Sequence, residues 1–219
     1  MSSDPDVTPV SSRPARPRPP RLFAFAMVLC MALGFGGTMN GCNVLQFYRS
    51  SVREEPPMPD GDEAEREKWR EGVRASWDVF DRARATQVPL AAADLVLSAL
   101  LMMVAWRALQ GRPGTRGLAA QAVAVNGAYA LLEYALSTPV RAAFVSVLVE
   151  HMPRSSLRLP TPLPDEQLSE ALHQALYFLL FRAPFGFKLV SYSLSLIALS
   201  LPSARAYLED VAAGDNAEA

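Results

Sequence analysis

Residues 22–41 read LFAFAMVLCMALGFGGTMNG, a run without a single charge, and its length decides the fold class. An α-helix rises about 1.5 Å per residue, so about 20 apolar residues cross the roughly 30 Å of a bilayer's hydrocarbon. Three more stretches repeat the pattern. Residues 89–106 carry one charge, Asp94, and residues 118–137 carry one, Glu133, near their far end. Residues 185–201 are shorter, and the apolar run from Leu176 to Leu201 around them is interrupted by Arg182, Pro184, Gly186 and Lys188. These stretches predict an all-α membrane protein: four transmembrane helices with an extracytoplasmic amphipathic helical layer.

Composition agrees with this, at 50% hydrophobic residues, a mean hydropathy of +0.11 and a net charge of −1. That balance excludes the basic surface of a nucleic-acid binder, and the partner it demands is the lipid bilayer. The two cysteines, Cys30 and Cys42, lie within one helix about 18 Å apart, far beyond the about 4–7 Å Cα separation of a disulfide.

Orientation follows from arginines. Residues 1–21 hold Arg13, Arg16, Arg18 and Arg21 among serines and prolines, a composition that buries no core and reads as a disordered cytoplasmic tail. The loop 107–117 carries Arg107, Arg112 and Arg116 without an acid, which places it in the cytoplasm too. Four spans then return the tail 202–219 to the same side. Heavy use of Ala, Arg and Pro suggests a bacterial inner membrane. One competing reading treats Met39-Asn40-Gly41-Cys42 as the end of a lipoprotein signal cleaved before Cys42, but Asn40 fits that pattern poorly.

The outer segments are 42–88 and 138–184. In the first, Pro56, Pro57 and Pro59 break the chain, Asp60 or Asp62 caps a helix, and Glu63, Glu65 and Glu67 suit the positive end of its dipole. Trp69, Val73, Trp77 and Phe80 recur on one face and Arg66, Arg70, Arg74 and Asp78 on the other. Such a stripe packs against the rest of the chain, meets a protein partner on the extracytoplasmic side, or lies flat in the headgroup region as Trp- and Arg-bearing interfacial helices do. In the second, the third helix continues past Pro139 to Glu150. A Pro-rich loop follows, then a helix from about Asp165 lies along the surface, and the chain turns inward at Pro184 and Gly186.

Chemistry-bearing residues gather at one level. Asp94 and Glu133 each lie about 7 Å inside the outer ends of their spans. Lys188 falls near that level, and Arg141 and Arg182 lie just above it, so opposite charges are expected to meet. Asn126, Tyr129, Glu133 and Ser137 form one polar edge of the third span, and Asp94 and Ser98 one of the second. Ala120, Ala124 and Ala128 are expected to let the second and third spans pack closely. This polar network of Asp94, Ser98, Asn126, Tyr129, Glu133 and Lys188 reads first as a set of bonds that fix helix packing and second as a path for a proton or ion. The cytoplasmic halves of the second and third spans offer no further titratable group, which counts against a full relay.

His151 and His173 lack the regular ligand spacing of a zinc site, and no Gly-rich phosphate loop or Ser-centred elbow occurs. The sequence therefore predicts no catalytic residue, metal or cofactor. Its first functional reading is a non-enzymatic interaction or accessory subunit of a membrane assembly. The alternative is a small transporter or channel component using Asp94, Glu133 and Lys188.

Overall fold

A computed structural model describes residues 18–50, 62–112, 114–151 and 165–217. Most of the N-terminal tail, Pro56, Pro57 and Pro59 with Asp60, and the loop holding Pro153, Pro160, Pro162 and Pro164 lie outside the described residues. Every described element is helical: α1 (Arg21–Arg49), α2 (Glu63–Leu109), α3 (Thr115–His151), α4 (Asp165–Tyr177), a π-helical turn (Phe178–Arg182), α5 (Ala183–Ser200) and α6 (Pro202–Ala217). Four helices are long and apolar enough to cross a membrane: α1, α2, α3 and the continuous run Gln167–Ser200. The chain is an all-α membrane protein.

Asp62 caps α2, its Oδ1 accepting from the Glu65 backbone N–H at 2.8 Å. From there α2 runs unbroken for 47 residues through Pro89. The amphipathic segment and the second apolar stretch, separate in the sequence reading at residue 89, are one rod of about 70 Å. Its apolar half alone is long enough to cross a bilayer. α3 likewise continues past Pro139. An inward turn at Pro184 does not occur, because α4, the π turn and α5 follow one another without a non-helical residue. Pro184 therefore lies inside a continuous helix, and the wider π turn directly before it accommodates the ring.

α1 packs on α2 and α5, and α3 on α2 and α5, closing a ring of helices in the order α1, α2, α3, α5. The tightest seam is α1 on α2, where Gly34, Gly37 and Gly41 share one face. A Cβ on Gly34 would stand 2.7 Å from the Ser98 carbonyl oxygen, and one on Gly37 would run into the Ser98 side chain. Of the alanines expected to serve this purpose on α3, Ala120 is partly buried against the core while Ala124 and Ala128 are exposed, and Ala119, Ala122 and Ala130 are the fully buried ones.

The packed core lies at the end where α1 begins. Phe23, Met27, Cys30, Leu101, Val123 and Leu199 are nearly inaccessible there. The segment from residue 202, read from sequence only as a tail, folds back as α6 and buries Ala204, Tyr207, Leu208 and Val211. Tyr207 stacks at a tilt on Phe23 (5.7 Å between centroids) and donates to the Leu109 carbonyl at 3.1 Å. Gly111 ends α2 with φ of 71°, the left-handed residue that closes a helix, and a Cβ there would lie 2.7 Å from Val211. Elsewhere large apolar side chains such as Phe25, Val96, Met103, Leu131 and Val190 point outward, as a bundle in lipid requires.

At the opposite end the aromatic stripe of α2 turns inward. Phe80 meets Phe47 of α1 at 5.7 Å and Phe144 of α3 at 5.2 Å, and the Tyr48 hydroxyl donates to the Phe80 carbonyl at 3.1 Å. Trp69 and Val73 line a void of about 40 Å³ with Val147, Leu148 and His151 of α3. These contacts pack Trp69, Val73 and Phe80 against α1 and α3.

Candidate functional site

Between the aromatic end and the packed core lies a cavity of about 250 Å³. Its polar lining comes from three helices: Asn40 from α1, Gln87 and Asp94 from α2, and Tyr129, Glu133, Ser137 and Arg141 from α3. Phe80, Phe144 and Phe181 supply aromatic wall. Pro89 and Pro139 fall at this same level, and each withdraws a backbone donor from its helix.

The α2–α3 wall is held by a ladder of hydrogen bonds. Gln87 donates to Ser137 Oγ at 3.2 Å, the Tyr129 hydroxyl donates to the Leu90 carbonyl, and Asn126 donates to the Leu97 carbonyl at 3.2 Å and the Ala122 carbonyl at 2.8 Å. Ser98 donates to Asp94 Oδ1 at 3.2 Å. Asp94, Ser98, Asn126 and Tyr129 lie along this α2–α3 seam, and Glu133 lines the cavity beside it. Ser98 and Asn126 do not line the cavity and lie below its floor.

Lys188 does not join them. Half-buried on α5, it makes no ion pair with any described residue, whereas Glu133 takes Arg141 at 2.9 Å, eight positions along its own helix. The reason is local: two turns separate Glu133 and Arg141 on α3, so a long guanidinium side chain reaches back along the helix. Arg141 is committed on its other faces too, standing 4.9 Å from the Tyr134 ring and 5.4 Å from the Phe181 ring. Tyr134 in turn stacks on Phe185 at 4.0 Å, which seats the beginning of α5 against α3.

Asp94 differs. It is 6% exposed, its Oδ1 has Ser98, and its Oδ2 is buried with no hydrogen-bond partner. A buried carboxylate oxygen left unpaired is costly, and such groups mark functional sites in membrane spans. Beneath Asp94 the interior is closed. Gly37 is pressed on Ser98, Cys30 Sγ donates to Ser195 Oγ at 3.1 Å, and Leu101, Val123 and Leu199 fill the space. The cavity is blind at that end.

Asn40 and Gln87 were not singled out as site residues in the sequence. Both had a signal: Asn40 is a strong amide inside an otherwise apolar run, and Gln87 lies two residues before the proline at which the second apolar stretch begins. No family model, curated protein or solved structure matches the chain.

Proposed function

We propose that this chain is a non-enzymatic ligand-binding component of a small membrane transporter, with the cavity at Asp94 as its binding site. The observation that carries the reading is the polar cavity reaching Asp94 and Glu133, since a bundle that used its polar residues for packing alone would leave no such space. A closed floor suits a binding site entered from one side better than an open channel. The transporter reading is preferred to the accessory-subunit one because Trp69, Val73 and Phe80 make contacts within the chain.

The arginines Arg107, Arg112, Arg116 and Arg205 cluster at the end capped by α6, and the rule that positive loops stay inside puts both termini in the cytoplasm. In that orientation, in a bacterial inner membrane, the cavity is entered from the extracytoplasmic side.

Native mass spectrometry of the protein released from detergent micelles tests this. A non-covalent small-molecule adduct on the wild-type chain that is lost in Asp94→Asn of equal thermal stability supports the reading. Adduct-free spectra for both, at any activation energy that preserves the fold, contradict it. The same spectrum gives the mass of the mature chain, 23.8 kDa if uncleaved, and so decides between a retained first helix and a lipidated Cys42.

A further inference from the structure

We infer that the end of the bundle where α2 passes into α3 is a docking surface for an acidic phospholipid, with its phosphate at Arg107, Arg112 and Arg116 and one acyl chain along the exposed stripe of α2. It does not depend on the cavity, which lies on the far side of the packed core.

Positive charge gathers at this end. Among the described residues, Arg18 and Arg21 stand where α1 begins, Arg107 and Arg112 where α2 ends, Arg116 in the first turn of α3 and Arg205 on α6. The acids there are Glu209, Asp210 and Asp215, all on α6, so six arginines meet three acids. Glu209 is already taken by Arg205 at 2.7 Å. Among the described residues no acid pairs with Arg107, Arg112 or Arg116.

The backbone holds these three arginines together. Gly111 and Gly114, at φ of 71° and 73°, bring the ends of α2 and α3 close, with Arg112 between them. The turn is fixed from the side of α6, because the Tyr207 hydroxyl donates to the Leu109 carbonyl and Val211 fills the space against Gly111. Arg116 Nε donates to the Leu199 carbonyl at 3.1 Å, which ties the guanidinium to the last turn of α5 and leaves its other N–H groups unused by the described residues. Guanidinium groups suit a phosphate because they present paired N–H donors to its oxygens.

An apolar track leads from the arginines into the bilayer. Val96, Leu100, Met103 and Arg107 follow i, i+4, i+7, i+11 spacing on α2, and all four are exposed. From Val96 to Arg107 the helix rises about 16 Å, close to the depth of one leaflet of a bilayer with about 30 Å of hydrocarbon. Trp106 is exposed beside Arg107, at the boundary level where membrane tryptophans collect. A phospholipid carries its anion and its chain in this same order, whereas a soluble phosphate matches the arginines and makes no use of the stripe. The match holds in either orientation of the chain, since the arginines meet a headgroup layer in both.

The test uses dioleoyl phosphatidylglycerol, dioleoyl phosphatidylcholine and sn-glycerol 3-phosphate, each added to purified full-length protein in an uncharged detergent and read as the shift in melting temperature with concentration. Phosphatidylglycerol should raise the melting temperature saturably, by less as salt is added, and the other two should not. Arg107 and Arg112 make no side-chain bond within the described fold, so Arg107→Gln with Arg112→Gln should leave the lipid-free melting temperature unchanged. The pair should weaken phosphatidylglycerol about 25-fold, from about fivefold for each arginine near a membrane surface. Arg74→Gln with Arg84→Gln removes the same charge from the other end and should leave the response intact. Equal shifts by the two phospholipids, an unaltered response in the Arg107 and Arg112 variant, an equal loss in the Arg74 and Arg84 variant, or a shift indifferent to salt overturns the inference. A response to glycerol phosphate matching that of phosphatidylglycerol assigns the arginines to a free anion and overturns it too.

Discussion

Single side chains make the sharpest claims. Gly37 stands where α1 meets the Ser98 side chain, so Gly37→Val must push the two helices apart and should cost about 1–3 kcal/mol, as overpacked interiors do. Gly36, one position on, has nothing within 4 Å of a built Cβ. Gly36→Ala should be neutral or stabilise by up to about 1 kcal/mol through helix propensity. Thermal unfolding in detergent separates the two. The Glu133–Arg141 pair gives a second test, because removing one charge strands the other. Arg141→Gln alone should cost about 2 kcal/mol, less than a fully buried pair because both side chains keep some solvent. The double variant with Glu133→Gln should recover most of that loss, and if the two effects simply add, the pairing drawn here is wrong.

Among the elements, α6 was least visible in the sequence. Ala204, Tyr207, Leu208 and Val211 follow the i, i+3, i+4, i+7 spacing of an amphipathic helix, yet the surrounding acids and alanines suggested only a tail. Tyr207→Ala removes a ring packed on Phe23 and a hydrogen bond to Leu109, and should cost about 3 kcal/mol. Arg205→Ala breaks an ion pair more than 60% exposed on both sides and should leave the melting temperature essentially unchanged. Comparable losses from both would mean that α6 is not docked. The long helices teach a related lesson. Apolar runs showed which segments span, but the continuity of α2 through Pro89 and of the last helix through Pro184 depends on neighbours that no local pattern contains. The π turn at Phe178–Arg182 is one such accommodation.

For the whole molecule, four apolar stretches, a shared level of Asp94 and Glu133, and an inward polar edge on the third helix were all readable from spacing. What could not be read was which opposite charge each carboxylate would meet. Helix periodicity gives a side chain's direction but not its rotamer, so Lys188 and Arg141 were equivalent candidates until α3 was seen to fold Arg141 back onto its own Glu133. Nor does any pattern announce a void. The cavity arises because Asp94 and Glu133 lie on different helices, with aromatic side chains above them and the glycine-packed seam below.

The central claim is a water-reached cavity that stops at Asp94, and a ladder of single cysteines tests it most directly. In a chain with Cys30→Ala and Cys42→Ala, Gln87→Cys and Ser137→Cys line the space, while Ser98→Cys and Leu101→Cys lie below its floor. Reaction rates with a small hydrophilic thiol reagent should be measurable at the first two positions and negligible at the last two until the protein is unfolded. Uniform inertness would mean a dry bundle with no site, and uniform reactivity would mean an open pore; either result contradicts the account.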